Sequence, residues 1–156
     1  VLQKDLKSLY CNREKEFFRI TGHRASDSTV PAVPAENELR PDRVEKKLMV
    51  VITADRIGSG DDELGEKLMI SFIKTCKEMG PELRRLVFIN NGVKLTVKDS
   101  AVLSELTALE KEGITILVCG TCLTHFGLMD QKKVGQTTNM LDIVTAMQLA
   151  DKVINF

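Results

Sequence analysis

Three apolar runs of strand length, separated by amphipathic stretches of helix length, constrain this chain's fold more than any other feature. They are Leu48-Met-Val-Val-Ile-Thr53, Leu86-Val-Phe-Ile-Asn90 and Ile114-Thr-Ile-Leu-Val118. Each is almost continuously apolar rather than alternating, the pattern of strands covered on both faces. Between the first two, residues 62–79 carry Leu64, Leu68, Phe72, Cys76 and Met79 at helical spacing, and Gly80-Pro81 stops the helix. Between the second and third, Ser100 is placed to cap a helix striped by Leu103, Leu106 and Leu109 and ended by Gly113. A last helix is expected over about 139–149, with Thr137 or Thr138 as its N-cap and Met140, Ile143, Val144 and Met147 as its inner face. The chain then closes on a strand, Lys152-Val-Ile-Asn-Phe156.

This alternation predicts an α/β fold: a three-layer αβα arrangement around a mainly parallel sheet, flavodoxin- or Rossmann-like, with right-handed crossovers. The pattern does not set the strand order. The α/β domain is expected over residues 46–156. Residues 25–45, holding Pro31, Pro34 and Pro41 among small and charged residues, read as a linker. Residues 1–24 form a separate piece. Leu2, Leu6 and Leu9 suggest a brief helix, Asn12-Arg13-Glu14 a turn, and Phe17-Phe-Arg-Ile20 a strand. So short a piece cannot bury a core alone. The first residue is Val rather than Met, as expected of a processed chain or one whose natural start lies upstream.

Composition narrows the function classes. Lys plus Arg and Asp plus Glu number 22 each, so no basic excess points to nucleic acid or an anionic membrane. No apolar run approaches the length of a membrane span. No charged-then-apolar segment opens the chain to argue for export. With four cysteines in 156 residues, the expectation is a cytoplasmic protein with reduced thiols rather than a disulfide scaffold.

Two of those thiols, Cys119 and Cys122, form a Cys-Gly-Thr-Cys segment directly after the third apolar run. Parallel sheets gather ligands and reactive groups at the carboxyl ends of their strands, which is where this segment falls. A helical turn starting at Gly120 would set backbone N–H groups near the Cys119 sulfur and lower its pKa. Gly120 allows a tight turn, and Cys122 lies within reach of Cys119 for a disulfide or for attack on a persulfide. The same pair also suits two small buried residues at a strand end. A zinc site lacks its further ligands, since Cys11 and Cys76 form no second pair and His23 and His125 are isolated. No metal or cofactor is therefore expected. A thioredoxin-like motif lacks its aromatic-Cys-Gly-Pro-Cys pattern. Cys76 falls on a helical stripe and reads as core.

Several neighbours are candidates to line the site. His125, three residues past Cys122, suits either a thiolate partner or an exposed loop histidine. The loop after the first strand contains Gly58-Ser-Gly60, but Asp61, Asp62 and Glu63 follow it and would repel a pyrophosphate. An acidic helix start explains them better, though Asp61 or Asp62 could still shape the mouth of the site. Asn91 and Lys94 leave the second strand at the same edge. Lys94 is the nearest candidate cation to a bound anion, against the plainer reading of a solvated lysine. Thr121 completes the segment.

The run Ile116-Leu-Val-Cys-Gly-Thr-Cys-Leu-Thr-His-Phe-Gly-Leu128 resembles the cysteine segment of DsrE/DsrF-like sulfur-relay proteins, with Cys119 in the position of the relay cysteine. Four segments, Ser59-Gly-Asp-Asp-Glu-Leu-Gly65, Asn91-Gly-Val-Lys-Leu95, Cys119-Gly-Thr-Cys-Leu123 and Thr138-Asn-Met140, are similar to the carboxyl-terminal domain of the YedF subgroup, described as sulfurtransferase-like selenium metabolism proteins. Residues 1–24, with Glu16-Phe-Phe-Arg-Ile-Thr21, resemble the tail of a TusA-like domain that lacks its cysteine-proline motif. The resemblance implies a cytoplasmic persulfide carrier, often oligomeric, that takes sulfur from one protein and passes it to another. The competing readings are a non-catalytic binding module and a dithiol redox switch.

Overall fold

The computed structural model describes residues 46–156 in full and the backbone of residues 6–14 and 17–24. The chain divides into two units, Val1–Arg43 and Val44–Phe156. In the first, strands β1 (Leu6–Glu14) and β2 (Phe17–Arg24) pair antiparallel, Tyr10 opposite Thr21 and Glu14 opposite Phe17. The expected strand at Phe17 is present. The helix expected from Leu2, Leu6 and Leu9 is not: from Leu6 onward the chain is β1. Two turns of isolated helix are marginal in water, and an adjacent strand offers the backbone a full set of partners instead. The expected linker and Leu2 lie outside the described residues.

The second unit is built on a five-stranded, all-parallel sheet ordered β6-β5-β4-β3-β7. Its strands are β3 (Leu48–Ile52), β4 (Leu83–Phe88), β5 (Thr115–Cys119), β6 (Gln136–Thr138) and β7 (Lys152–Asn155). From β3 the chain steps outward strand by strand to β6, then returns across the sheet to place β7 on the other side of β3. Right-handed crossovers set the helices of the outward steps on one face and the helix of the return on the other. The registers put Val50, Leu86 and Ile116 in one row and Ile52, Phe88 and Val118 in the next, all fully buried. The opposite face holds Met49, Val51 and Val87 in its centre, but Arg85, Thr115 and Leu117 there are only half-buried.

Helix α1 (Asp62–Thr75) joins β3 to β4 and runs on into a 3-10 segment, Cys76–Glu82. Its buried face is Gly65, Met69, Ile73 and Cys76, one residue round from the stripe expected, so that Leu64 and Leu68 stay exposed. The reason is Gly65. Its missing side chain lets the helix sit against its own preceding loop, where a Cβ would lie 3.1 Å from the Ile57 carbonyl oxygen.

Helix α2 (Leu103–Lys111) begins after Val102, not Ser100, although the Ser100 hydroxyl accepts the Val102 N–H at 3.4 Å. Helix α3 (Gly120–His125) follows β5 without a gap. Helix α4 (Met140–Gln148) is capped by Asn139, whose side chain accepts the Asp142 N–H at 3.0 Å. Thr137 and Thr138 are not the cap because both are taken into β6, opposite Val118 and Cys119. Only Ile143 and Ala146 of α4 are buried; Met140 and Val144 face solvent and Met147 is half-buried. Among the described residues no helix is long and apolar enough to cross a membrane.

Candidate thiol site at the carboxyl edge of the sheet

Cys119 is the last residue of β5 and sits opposite Thr138 of β6. The backbone turns there into α3, which leaves little room. A Cβ on Gly120 would come within 3.0 Å of the Thr137 methyl and 3.3 Å of the Thr138 carbonyl oxygen. Glycine is needed for the close approach of β6. Cys119 is only 3% exposed. Pairing with β6, a strand the sequence pattern does not show, is what covers it.

Cys122, on α3, is the half-buried member of the pair. Its sulfur accepts the backbone N–H of Asn90 at 3.1 Å. Burial pushes the Cys122 thiol pKa up, a hydrogen bond with Cys119 adds to this, and the Asn90 N–H acts in the opposite direction. The two sulfurs are therefore direct neighbours. Both cysteines are free thiols.

The donor comes from the loop after β4, residues 90–96, whose backbone is shaped for the purpose. Asn90 has φ 48°, a left-handed conformation that asparagine tolerates better than most side chains. Two residues on, Gly92 passes so close to β3 that a Cβ would lie 2.3 Å from the Ile52 carbonyl oxygen. The Ile89 N–H bonds that same carbonyl at 3.0 Å. The loop is thus held against the end of β3, and its first N–H is held against Cys122.

The other candidates separate clearly. Asp61 is the N-cap of α1, accepting the Leu64 N–H at 2.7 Å, and Asp62 pairs with Arg56. Both serve the helix start. Lys94 is exposed and turned toward this edge: its ammonium lies 5.0 Å above the Phe126 ring and 3.8 Å from Asp55. His125 sets its ring edge-on to Phe126 at 5.0 Å. Asn91 is half-buried and Thr121 exposed. Cys11 and His23 lie on β1 and β2, whose side chains are outside the described residues. Among the described residues no three His, Cys, Asp or Glu side chains gather as a metal site would need.

Sequence reasoning missed two contributors. Arg56 ties Asp55 and Asp62 together beside the loop, its Nε 2.9 Å from Asp55. The Asn90 N–H carries no side-chain signature at all; only the Asn-Asn-Gly turn hints at unusual backbone there. A cavity of about 510 Å³ between α1 and α2 contains neither cysteine, so chemistry rather than volume locates the site.

The site is thus a pair of cysteines at the carboxyl end of β5 in a parallel α/β domain. Residues 46–156 match the DsrE/DsrF-like family, and the chain belongs to it; its members are generally sulfur-relay proteins. Solved structures share the fold. The ychN protein from E. coli is 15% identical with a TM-score of 0.55, covering 70% of this chain and 99% of its own. MTH1491 from Methanobacterium thermoautotrophicum, described as a protein of unknown function, is 20% identical with a TM-score of 0.52, covering 70% of this chain and 97% of its own. No curated protein matches the chain.

Proposed function

We propose that the protein is a sulfur-relay carrier that holds sulfur as a persulfide on the Cys119–Cys122 pair. The observation that carries this reading is the contact between the two sulfurs at the sheet edge, with a backbone N–H directed at one of them. A thiolate attacks the terminal sulfur of a donor persulfide, and a neighbouring thiol lets the sulfur move or be released. Its partners are then a sulfur-donor and a sulfur-acceptor protein. Treatment with a small persulfide followed by intact-mass measurement should add the mass of one sulfur atom. A protein that never gains it is not a carrier.

The family and the free thiols favour a reducing, cytoplasmic setting. A link to selenium metabolism, and the origin of residues 1–24 in a TusA-like domain, rest on the segment resemblances to YedF and TusA-like proteins. Homo-oligomerisation is supported by exposed apolar side chains on α1 (Leu64, Leu68) and around α4 (Met140 at 57%, Leu141 at 74%).

The same sulfur–sulfur contact favours a second reading, a dithiol–disulfide switch. A Cys119–Cys122 reduction potential well above that of the cytosolic thiol pool, with no sulfur uptake, would select it over the first.

A further inference from the structure

The pair is not symmetric, and the asymmetry assigns an order to its two thiols. Cys119 is 3% exposed, closed in by β6 and the turn into α3. Cys122 is the half-buried one, and only its sulfur receives the Asn90 N–H. A donor persulfide must bring its terminal sulfur in line with the attacking sulfur, which needs open space on the far side. Cys122 offers that more readily than Cys119. The N–H also points at an atom that becomes negative twice, as the attacking thiolate and again as the leaving group. A donor held in place by Gly92 stabilises that charge without reorganising.

We propose that sulfur enters this site at Cys122 and is handed from there to Cys119, which holds it. The assignment rests on the persulfide-carrier reading above; it keeps Cys119, in the relay-cysteine position by resemblance, as the holder of sulfur and makes Cys122 the thiol that meets the donor. In the first exchange the Cys122 thiolate attacks the terminal sulfur of R–S–SH. The donor's S–S bond breaks, R–S⁻ leaves and takes a proton from solvent, and Cys122–S–SH forms. In the second, the Cys119 sulfur, having given up its proton, attacks the terminal sulfur on Cys122. That S–S bond breaks, Cys122 leaves as a thiolate beside the Asn90 N–H and takes up the proton, and Cys119–S–SH forms. One S–S bond forms for each that breaks, so no oxidant or reductant is consumed. At 3% exposure the sulfur on Cys119 is shielded from solvent thiols, and the reverse exchange returns it to Cys122 for delivery.

Glutathione persulfide is the probe. The time course of sulfur gain is followed by mass spectrometry in the wild-type chain and in Cys119→Ser and Cys122→Ser, with fragmentation to place the sulfur. Cys119→Ser should gain sulfur on Cys122 alone, while Cys122→Ser should load at least about tenfold more slowly than the wild-type chain. The wild-type chain should carry sulfur on Cys122 at the earliest times and on Cys119 later, a readout that needs no variant to fold. Loading of Cys122→Ser at the wild-type rate, or sulfur first seen on Cys119 in the wild type, overturns the order and leaves the carrier reading intact. A wild-type chain that takes up no sulfur overturns the carrier reading and this order with it.

Discussion

At the scale of single residues, the thiols differ because their surroundings differ. Burial and the contact with Cys119 raise the Cys122 pKa, so its alkylation by iodoacetamide should reach half its maximal rate above the pH typical of an unperturbed thiol. A half-maximum below that range would contradict the geometry. Cys76, fully buried at the C-cap of α1, is pushed from 9.0 up to about 11 by burial alone. Between those values the unfolded chain binds fewer protons than the folded one, so stability should fall as pH rises through this window and be unaffected below it. Urea melts across the window should show the fall, and Cys76→Ala should flatten it. Gly92 is the residue with least latitude. Gly92→Ala drives a Cβ into the Ile52 carbonyl and should cost about 1–3 kcal/mol in a chemical melt, while displacing the Asn90 N–H from Cys122.

At the scale of elements, the central apolar strands read directly from the sequence, and the edge strand β6 and the helix faces only partly or not at all. Leu48–Ile52 lies within its apolar run, because a strand covered on both faces leaves a mark on every residue. The three longer helices lie where the spacing predicts them, and α2 buries Leu106 and Leu109 as expected, but the buried faces of α1 and α4 depart from their expected stripes. On α1 the three buried positions include a glycine, which hydrophobic spacing cannot signal. On α4 Ile143 is buried as spacing predicts, but Met140 and Val144 of the same stripe face outward and the small Ala146 is buried in their place. Strand β6 is three polar residues at an edge, defined by pairing with β5 and by nothing in its composition. The cap of α4 is a sharper test of local chemistry. Asn139→Ala removes the side-chain acceptor for the Asp142 N–H and should lower stability by about 1 kcal/mol in a thermal or urea melt.

At the scale of the whole domain, one sheet face is sealed and the other is not. Phe88 belongs to the sealed face and is fully buried, so Phe88→Ala should cost about 3–5 kcal/mol in a urea melt and strain the fold as a whole. The opposite face has one nine-residue helix over it; Leu117 in the sheet is half-buried there, Val153 of β7 is exposed, and Leu141 on the helix is exposed. If copies associate through α4, Leu141→Glu should shift the sedimentation profile toward smaller species without changing the circular dichroism. An unchanged profile would remove α4 from the contact.

The sequence by itself determined the parallel α/β fold and the Cys119-Gly-Thr-Cys122 segment at a strand end, because each is written in contiguous residues of characteristic type. The tertiary structure alone decided which thiol is covered and which is reachable. That outcome depends on β6 lying against Cys119 and on a loop 32 residues upstream placing the Asn90 N–H on Cys122. Contacts between segments so far apart, made through backbone atoms common to every residue, leave no trace in the order of side chains.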